Sequence, residues 1–149
     1  MRKFTWCRQE LAEFCMQVGK HAHVCITSPE GRVISPECGY KALNLSFHDL
    51  EPGRIRQTEA YGRDSVRGEE LIKRCFTEAQ AHEIVAFVNK TDKDETIIVN
   101  CEAGISRSPG VVLAYRTFLG EEIESIYKRA DPNQHVAAVL GKVLRESNS

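Results

Sequence analysis

Apolar residues recur along this chain with two periods, and the changes between them outline a series of strands and helices. Over residues 5–18, Leu11, Phe14, Cys15 and Val18 fall at helical spacing with Gly19 as a stop, which predicts an amphipathic helix. Residues 22–27 (AHVCIT) read as a strand ended by Ser28-Pro29-Glu30-Gly31. An irregular loop is predicted over 33–40, where Pro36 and Gly39 act as breakers. Residues 42–47 alternate as a second strand and run into His48-Asp49-Leu50-Glu51-Pro52-Gly53.

Residues 52–68 are polar without a clear period. They predict a long surface loop in which Arg54, Arg56, Arg63 and Arg67 cluster as a local positive patch: either a loop over the pocket, with Tyr61 and the arginines meeting the substrate, or a solvated loop of no catalytic importance. Over 69–89 the residues Leu71, Ile72, Cys75, Phe76, Ala79, Val85, Phe87 and Val88 give one long helix a broad apolar side. The unbroken apolar run of 96–100 predicts a central strand. A helix over 109–119 is apolar on almost every side and stops at Gly120. Ile123, Ile126 and Tyr127 mark a short helix. Asp131-Pro132 opens the last one, with a stripe of Val136, Val139, Leu140, Val143 and Leu144. This order predicts an α/β fold: one domain spanning 1–149, with a central, mostly parallel sheet of four to five strands and helices on both faces.

Composition narrows the picture. With 149 residues and 42% hydrophobic content, the chain can bury a real core. Twenty basic and 21 acidic residues leave a net charge of −1, so no global field draws nucleic acid or an acidic membrane. The N-terminus lacks an apolar signal core and no stretch is long enough to span a bilayer, so neither nucleic acid nor membrane is an expected partner. Cysteines at 7, 15, 25, 38, 75 and 101 show no short paired spacing and read as reduced thiols of a cytoplasmic protein. His21, His23 and Cys25 alternate onto one side of a predicted strand. Their spacing is not that of a zinc module and no fourth ligand is nearby, so a packed strand face is expected, with no metal or other cofactor.

The chemistry concentrates where the predicted central strand meets the following helix: Cys101-Glu102-Ala103-Gly104-Ile105-Ser106-Arg107-Ser108. Gly104 lets such a loop curl tightly. Ser108 is a candidate helix cap and Pro109 suits a first helical position. Backbone amides from Glu102 to Arg107, facing a helix N-terminus, would make a nest for a phosphate- or sulfate-type oxyanion. Arg107 offers a planar fork matched to two oxyanion oxygens. Amides, helix terminus and guanidinium together would favour the thiolate of Cys101, the nucleophilic form. Ser108 is placed for its hydroxyl to reach that sulfur.

Phosphoryl transfer to sulfur expels an oxyanion that leaves poorly unless protonated, so a carboxylic acid is needed nearby. Asp49, at a strand end before a Pro-Gly turn, is the leading candidate. A plain turn-capping role for Asp49 is the alternative.

Cys-x5-Arg-Ser with an internal glycine resembles the signature of cysteine-dependent protein tyrosine and dual-specificity phosphatases. The wording Cys-Glu-Ala-Gly-Ile-Ser-Arg-Ser-Pro is close to small bacterial and phage members. Looser similarity runs from residue 22 to 144. It includes Leu45-x-Phe47-x-Asp49, which resembles the strand ending in the family's general acid, the helical run 76–87, and Asp131-Pro132-Asn133 before the last helix. The resemblance also makes Asp64 a rival to Asp49 as the acid, since it lies nearer to the next helix, where some members place theirs. Asn100 departs from the family, which usually has histidine before the cysteine. The resemblance implies a phosphatase-like fold. It also implies hydrolysis of a phosphorylated protein or small phosphomonoester, phosphotyrosine or dual-specificity in type, through a phosphocysteine intermediate. Two alternatives stay open: a non-catalytic phosphate-binding pseudophosphatase, and a rhodanese-like sulfurtransferase, which also starts an anion loop with cysteine.

Overall fold

Four six-residue segments alternate buried and less buried side chains or are buried throughout, and pair into one sheet. The computed structural model describes residues 2–18, 21–30 and 41–148. In it β1 (Lys3–Arg8), β2 (Ala22–Thr27), β3 (Lys41–Ser46) and β4 (Thr96–Cys101) lie in the order β1-β4-β2-β3. Every pairing is parallel, with Arg8 opposite Cys101 and Cys25 opposite Asn100. The α/β class and the parallel sheet are as the sequence predicts, with four strands among the described residues.

Side-chain alternation sorts the two faces. Phe4, Trp6, Val24, Ile26, Ile97 and Val99 turn towards the main core. That core is completed by α5 (Glu78–Asn89), α6 (Arg107–Leu119) and α8 (Gln134–Ser147), whose buried residues include Ile84, Val112 and Leu140. Cys7 and Cys25 turn to the other face, where Ala12 of α1 (Gln9–Val18) covers them. Gly110 marks a close approach of α6 to α8: a Cβ there would lie 2.8 Å from the Asn133 carbonyl oxygen.

Several predicted boundaries shift. The first part of the predicted 5–18 helix is strand, because β1 satisfies its backbone on β4, more than ninety residues away in the chain. Leu11 and Phe14, expected on the buried face of α1, are 49% and 56% exposed, and Ala12 is buried instead. The expected stop at Gly19, the loop over 33–40 and Cys38 lie outside the described residues. The polar segment after Pro52 is not a loop but three short helices: α2 (Pro52–Arg56), α3 (Glu59–Arg63) and α4 (Ser65–Ile72). Pro52 sits in the first turn of α2, while Thr58 and Asp64 cap α3 and α4 with their side chains. The predicted 69–89 helix is broken between Ile72 and Glu78, where a reciprocal Thr77–Gln80 capping box starts α5. α7 (Glu124–Arg129) buries only Ile126 of the predicted trio. The last helix begins two residues late, with Asn133 rather than Asp131 capping it.

Candidate functional site

β4 is flanked on both sides, so its carboxyl end is held firmly, and it delivers Cys101 to a loop over 102–106 that leads directly into α6. Gly104 has φ +69°, and a Cβ on it would lie 2.7 Å from the backbone nitrogen of Arg8. Only glycine fits, on both counts: the left-handed backbone and the close approach of the loop to the end of β1. Among the described residues, the amides of Glu102 to Ser106 donate to no protein acceptor. The Glu102 carboxylate accepts from the Ser28 amide at 3.2 Å, and its carbonyl accepts from the Gln9 amide at 3.4 Å. Ile105 is 55% exposed.

The helix starts earlier than the sequence suggests. Ser106, not Ser108, is the N-cap, and it makes no side-chain cap bond. Pro109 therefore falls in the third helical position, where its missing N–H is still no loss. This correction turns Ser108 inward: its Oγ lies 3.2 Å from the Cys101 sulfur, and both residues are buried.

Arg107 is the first helical residue and is buried although charged. Its Nη1 donates to the Phe47 carbonyl and to Ser28 Oγ, each at 3.0 Å. The ends of β2 and β3 thus fix one corner of the guanidinium. Nε and Nη2 have no partner among the described residues.

Asp49 follows β3 on a segment tied down by Phe47 N–H to the Thr27 carbonyl (3.0 Å) and His48 N–H to the Arg74 carbonyl (2.7 Å). The carboxylate is exposed and takes two bonds on one oxygen: Ser106 Oγ donates to Oδ1 at 2.7 Å and Asn133 Nδ2 donates to it at 2.9 Å. Asp49 thereby sits against the loop itself. It also lines a cavity of about 430 Å³ with Ser106, Ile105, Ile55 and Pro132. Asp64 is placed elsewhere, capping α4 through the Arg67 amide at 3.1 Å. With Tyr61 and Arg67 it lines an adjoining cavity of about 490 Å³, which shares Ile55 and Thr58 with the first but has none of the loop after Cys101 in its lining. The expected arginine cluster is largely neutralised. Arg54 pairs with Glu51 (2.7 Å), Arg56 with Glu69 (3.4 Å) and Arg63 with Glu59 (3.5 Å).

Sequence reasoning gave no site role to two residues that the fold brings here. Ser28 carries no signal beyond a turn. Asn133 does carry one, an Asx residue before a helix, but its reach to Asp49 spans 84 positions. Asn100 is fully buried between Cys7 and Cys25 on the neighbouring strands, and neither amide atom has a partner among the described residues. Burial pushes the thiols of Cys7 and Cys25 up to about 12, helped by neighbouring thiols, so neither is a nucleophile near neutral pH. The five described cysteines are free thiols, and no cluster of metal-binding side chains occurs among the described residues, His23 and Cys25 included. Among the described residues no helix is long and apolar enough to cross a membrane.

No protein-family model matches the chain, and no curated protein matches it. Solved structures do. PTPMT1 in complex with PI(5)P superposes with a TM-score of 0.57 at 15% identity, covering 98% of this chain and 92% of that one. A human DUSP28 variant gives 0.54 at 18% identity, covering 98% and 93%. A mouse putative dual specificity phosphatase complexed with zinc tungstate gives 0.51 at 17% identity, covering 96% and 82%. Over nearly its whole length, the chain has the fold of these tyrosine and dual-specificity phosphatase structures.

Proposed function

We propose that the protein is a cysteine-dependent phosphatase acting on phosphate monoesters, with phosphotyrosine or dual-specificity protein substrates as the class to test first. The observation that carries this reading is the grouping around one sulfur. Cys101 lies beside the Ser108 hydroxyl, at the head of a loop closed by a buried, anchored Arg107, with Asp49 bonded to that loop.

In the first half-reaction the Cys101 thiolate attacks phosphorus in line. The S–P bond forms as the P–O bond to the leaving group breaks, and that electron pair stays on the leaving oxygen. Asp49 gives this oxygen its proton. Both hydrogen bonds fall on Oδ1, so Oδ2 is the oxygen left to carry it. The open amides of 102–106 and the unused Nε and Nη2 of Arg107 receive the equatorial oxygens, where they gain most as transition-state charge develops. In the second half-reaction Asp49 takes a proton from water, water attacks phosphorus, and the S–P electrons return to Cys101. The Ser108 hydroxyl, 3.2 Å away, donates to the departing thiolate.

A second reading has a specific observation behind it. Asn100 brings no positive charge beside Cys101, and its buried amide is unpaired among the described residues, which suits a phosphate-binding module without turnover. Parallel assays separate the readings. A phosphatase releases phosphate from an aryl phosphate and no thiocyanate from thiosulfate and cyanide. A pseudophosphatase binds phosphopeptide without releasing phosphate, and Cys101→Ser leaves that binding intact. A sulfurtransferase gives the opposite pair of assay results.

A further inference from the structure

At the amino-terminal end of the sheet, away from Cys101, the closing turns of α5, α6 and α8 surround a cavity of about 370 Å³. This volume lies within the usual range of small-molecule sites. Phe4, Val88, Phe118 and Leu144 supply apolar walls. The polar lining is different in kind. Tyr115 is 5% exposed and stacks on Phe4 at 4.2 Å, yet its hydroxyl has no hydrogen-bond partner among the described residues. A buried tyrosine hydroxyl normally finds a partner, and leaving one unpaired costs stability that phenylalanine would not cost. Burial pushes this phenol well above its ordinary range, so it stays protonated and can donate, while the nearby Arg2 charge pulls the other way.

Arg2 also lines the cavity. It is held by Nε to Thr91 Oγ1 at 2.9 Å and by Nη2 to the Thr91 carbonyl at 2.8 Å, so Nη1 is left out of both bonds. Lys93 adds a second cation, and no acidic side chain is among the described lining residues. Carbonyls at the ends of α5 and α6 are occupied by their own cap amides, at Lys90 and Gly120, which blunts the negative ends of those helices.

We propose that this cavity is a second ligand site, which takes a small monocarboxylate with an apolar tail. The tail lies among the apolar walls, and the carboxylate accepts from the Tyr115 hydroxyl and the Arg2 guanidinium. Nothing in this proposal depends on the chemistry at Cys101.

The test uses the full chain, with sodium octanoate as probe, 1-octanol as its uncharged counterpart and sodium chloride as the salt control. Affinities come from calorimetry and stabilities from thermal melts. Octanoate is expected to bind wild type at least tenfold more tightly than octanol and to raise Tm. Tyr115→Phe should melt higher than wild type without ligand, yet bind octanoate at least fivefold more weakly. Arg2→Gln should lose octanoate affinity and keep that for octanol. A purely structural tyrosine would not combine a gain in stability with a loss of binding. Three results would each overturn the proposal: octanoate no better than octanol, unchanged octanoate affinity in Tyr115→Phe, or a lower ligand-free Tm for that variant.

Discussion

Asn133 and Asp49 meet through a 2.9 Å hydrogen bond from Nδ2 to Oδ1, although 84 positions separate them. The same asparagine caps α8 by accepting from the Val136 amide at 3.0 Å, and its own amide donates to the Ser106 carbonyl at 2.9 Å. One side chain and its backbone therefore join the last helix, the loop after Cys101 and the candidate acid. Asn133→Ser keeps a capping oxygen but cannot reach Asp49. It should lower kcat on an alkyl phosphate by about tenfold, with KM little changed, and barely affect nitrophenyl phosphate. The same substitution made on top of Asp49→Ala should add almost nothing, and a kinetic double-mutant cycle measures this.

Asp49→Ala is the reference for that cycle. Loss of a general acid should slow alkyl phosphates by about 100-fold or more while a good leaving group such as nitrophenol is nearly spared. Equal losses on both substrates would remove Asp49 from the acid role. Asp64→Ala, by contrast, should lose only a helix cap, about 1 kcal/mol, with both substrates unaffected.

Arg107→Lys keeps the charge and discards the fork. A single ammonium cannot bond the Phe47 carbonyl and Ser28 Oγ, as Arg107 does, while also gripping two phosphate oxygens as the proposed function requires. Turnover should fall by about 100-fold or more, with the loss seen in kcat/KM on every substrate.

Two glycines with nearly the same backbone separate strain from crowding. Gly120 has φ +70° with nothing within 4 Å of a Cβ, whereas Gly104 has φ +69° with backbone atoms of Cys7 and Arg8 in the way. Gly120→Ala should cost about 1–2 kcal/mol in stability and leave activity alone. Gly104→Ala should cost more and also displace the loop, so activity falls with Tm. Melts and initial rates on both variants decide this.

Stability should be greatest between about pH 6.5 and 9. Burial, aided by the neighbouring His21, lowers His23 to about 4, so the folded state resists a proton that the unfolded chain binds from pH 6.5 downwards. Stability present above 6.5 is lost as pH falls towards 4, by about 3 kcal/mol from this residue. Cys7 and Cys25 act on the other side. Their folded values are raised to about 12, so stability is full below the unfolded value near 9 and declines as pH rises towards 12. Denaturant melts across pH should show both limbs, and Cys25→Ala should flatten the alkaline one.

Local features were legible in the sequence. The 96–100 run, Cys101 with Arg107 six positions on, Gly120 and the stripe of α8 each depend on neighbours within a turn or two. β1 was not legible, because Phe4 and Trp6 offer only a short alternation and the strand exists through its pairing with β4. The break before α5 was written in Thr77 and Gln80, but the apolar period running on through Cys75 and Phe76 concealed it. Whether Ser106 or Ser108 starts α6 turned on a proline that fits either register. Placement of Asp49 beside Ser106 and Asn133 is a product of the fold, beyond any local pattern.

The central claim is a covalent bond between phosphorus and the Cys101 sulfur, and trapping it is the most direct measurement. Wild-type protein is mixed with nitrophenyl phosphate, quenched in acid within a turnover and mapped by peptide mass spectrometry. The account predicts one phosphoryl adduct on the peptide carrying Cys101, alongside release of nitrophenol, with Cys101→Ser giving neither. Nitrophenol release that persists in Cys101→Ser, or a wild-type protein that turns over without an adduct on that peptide, would contradict it.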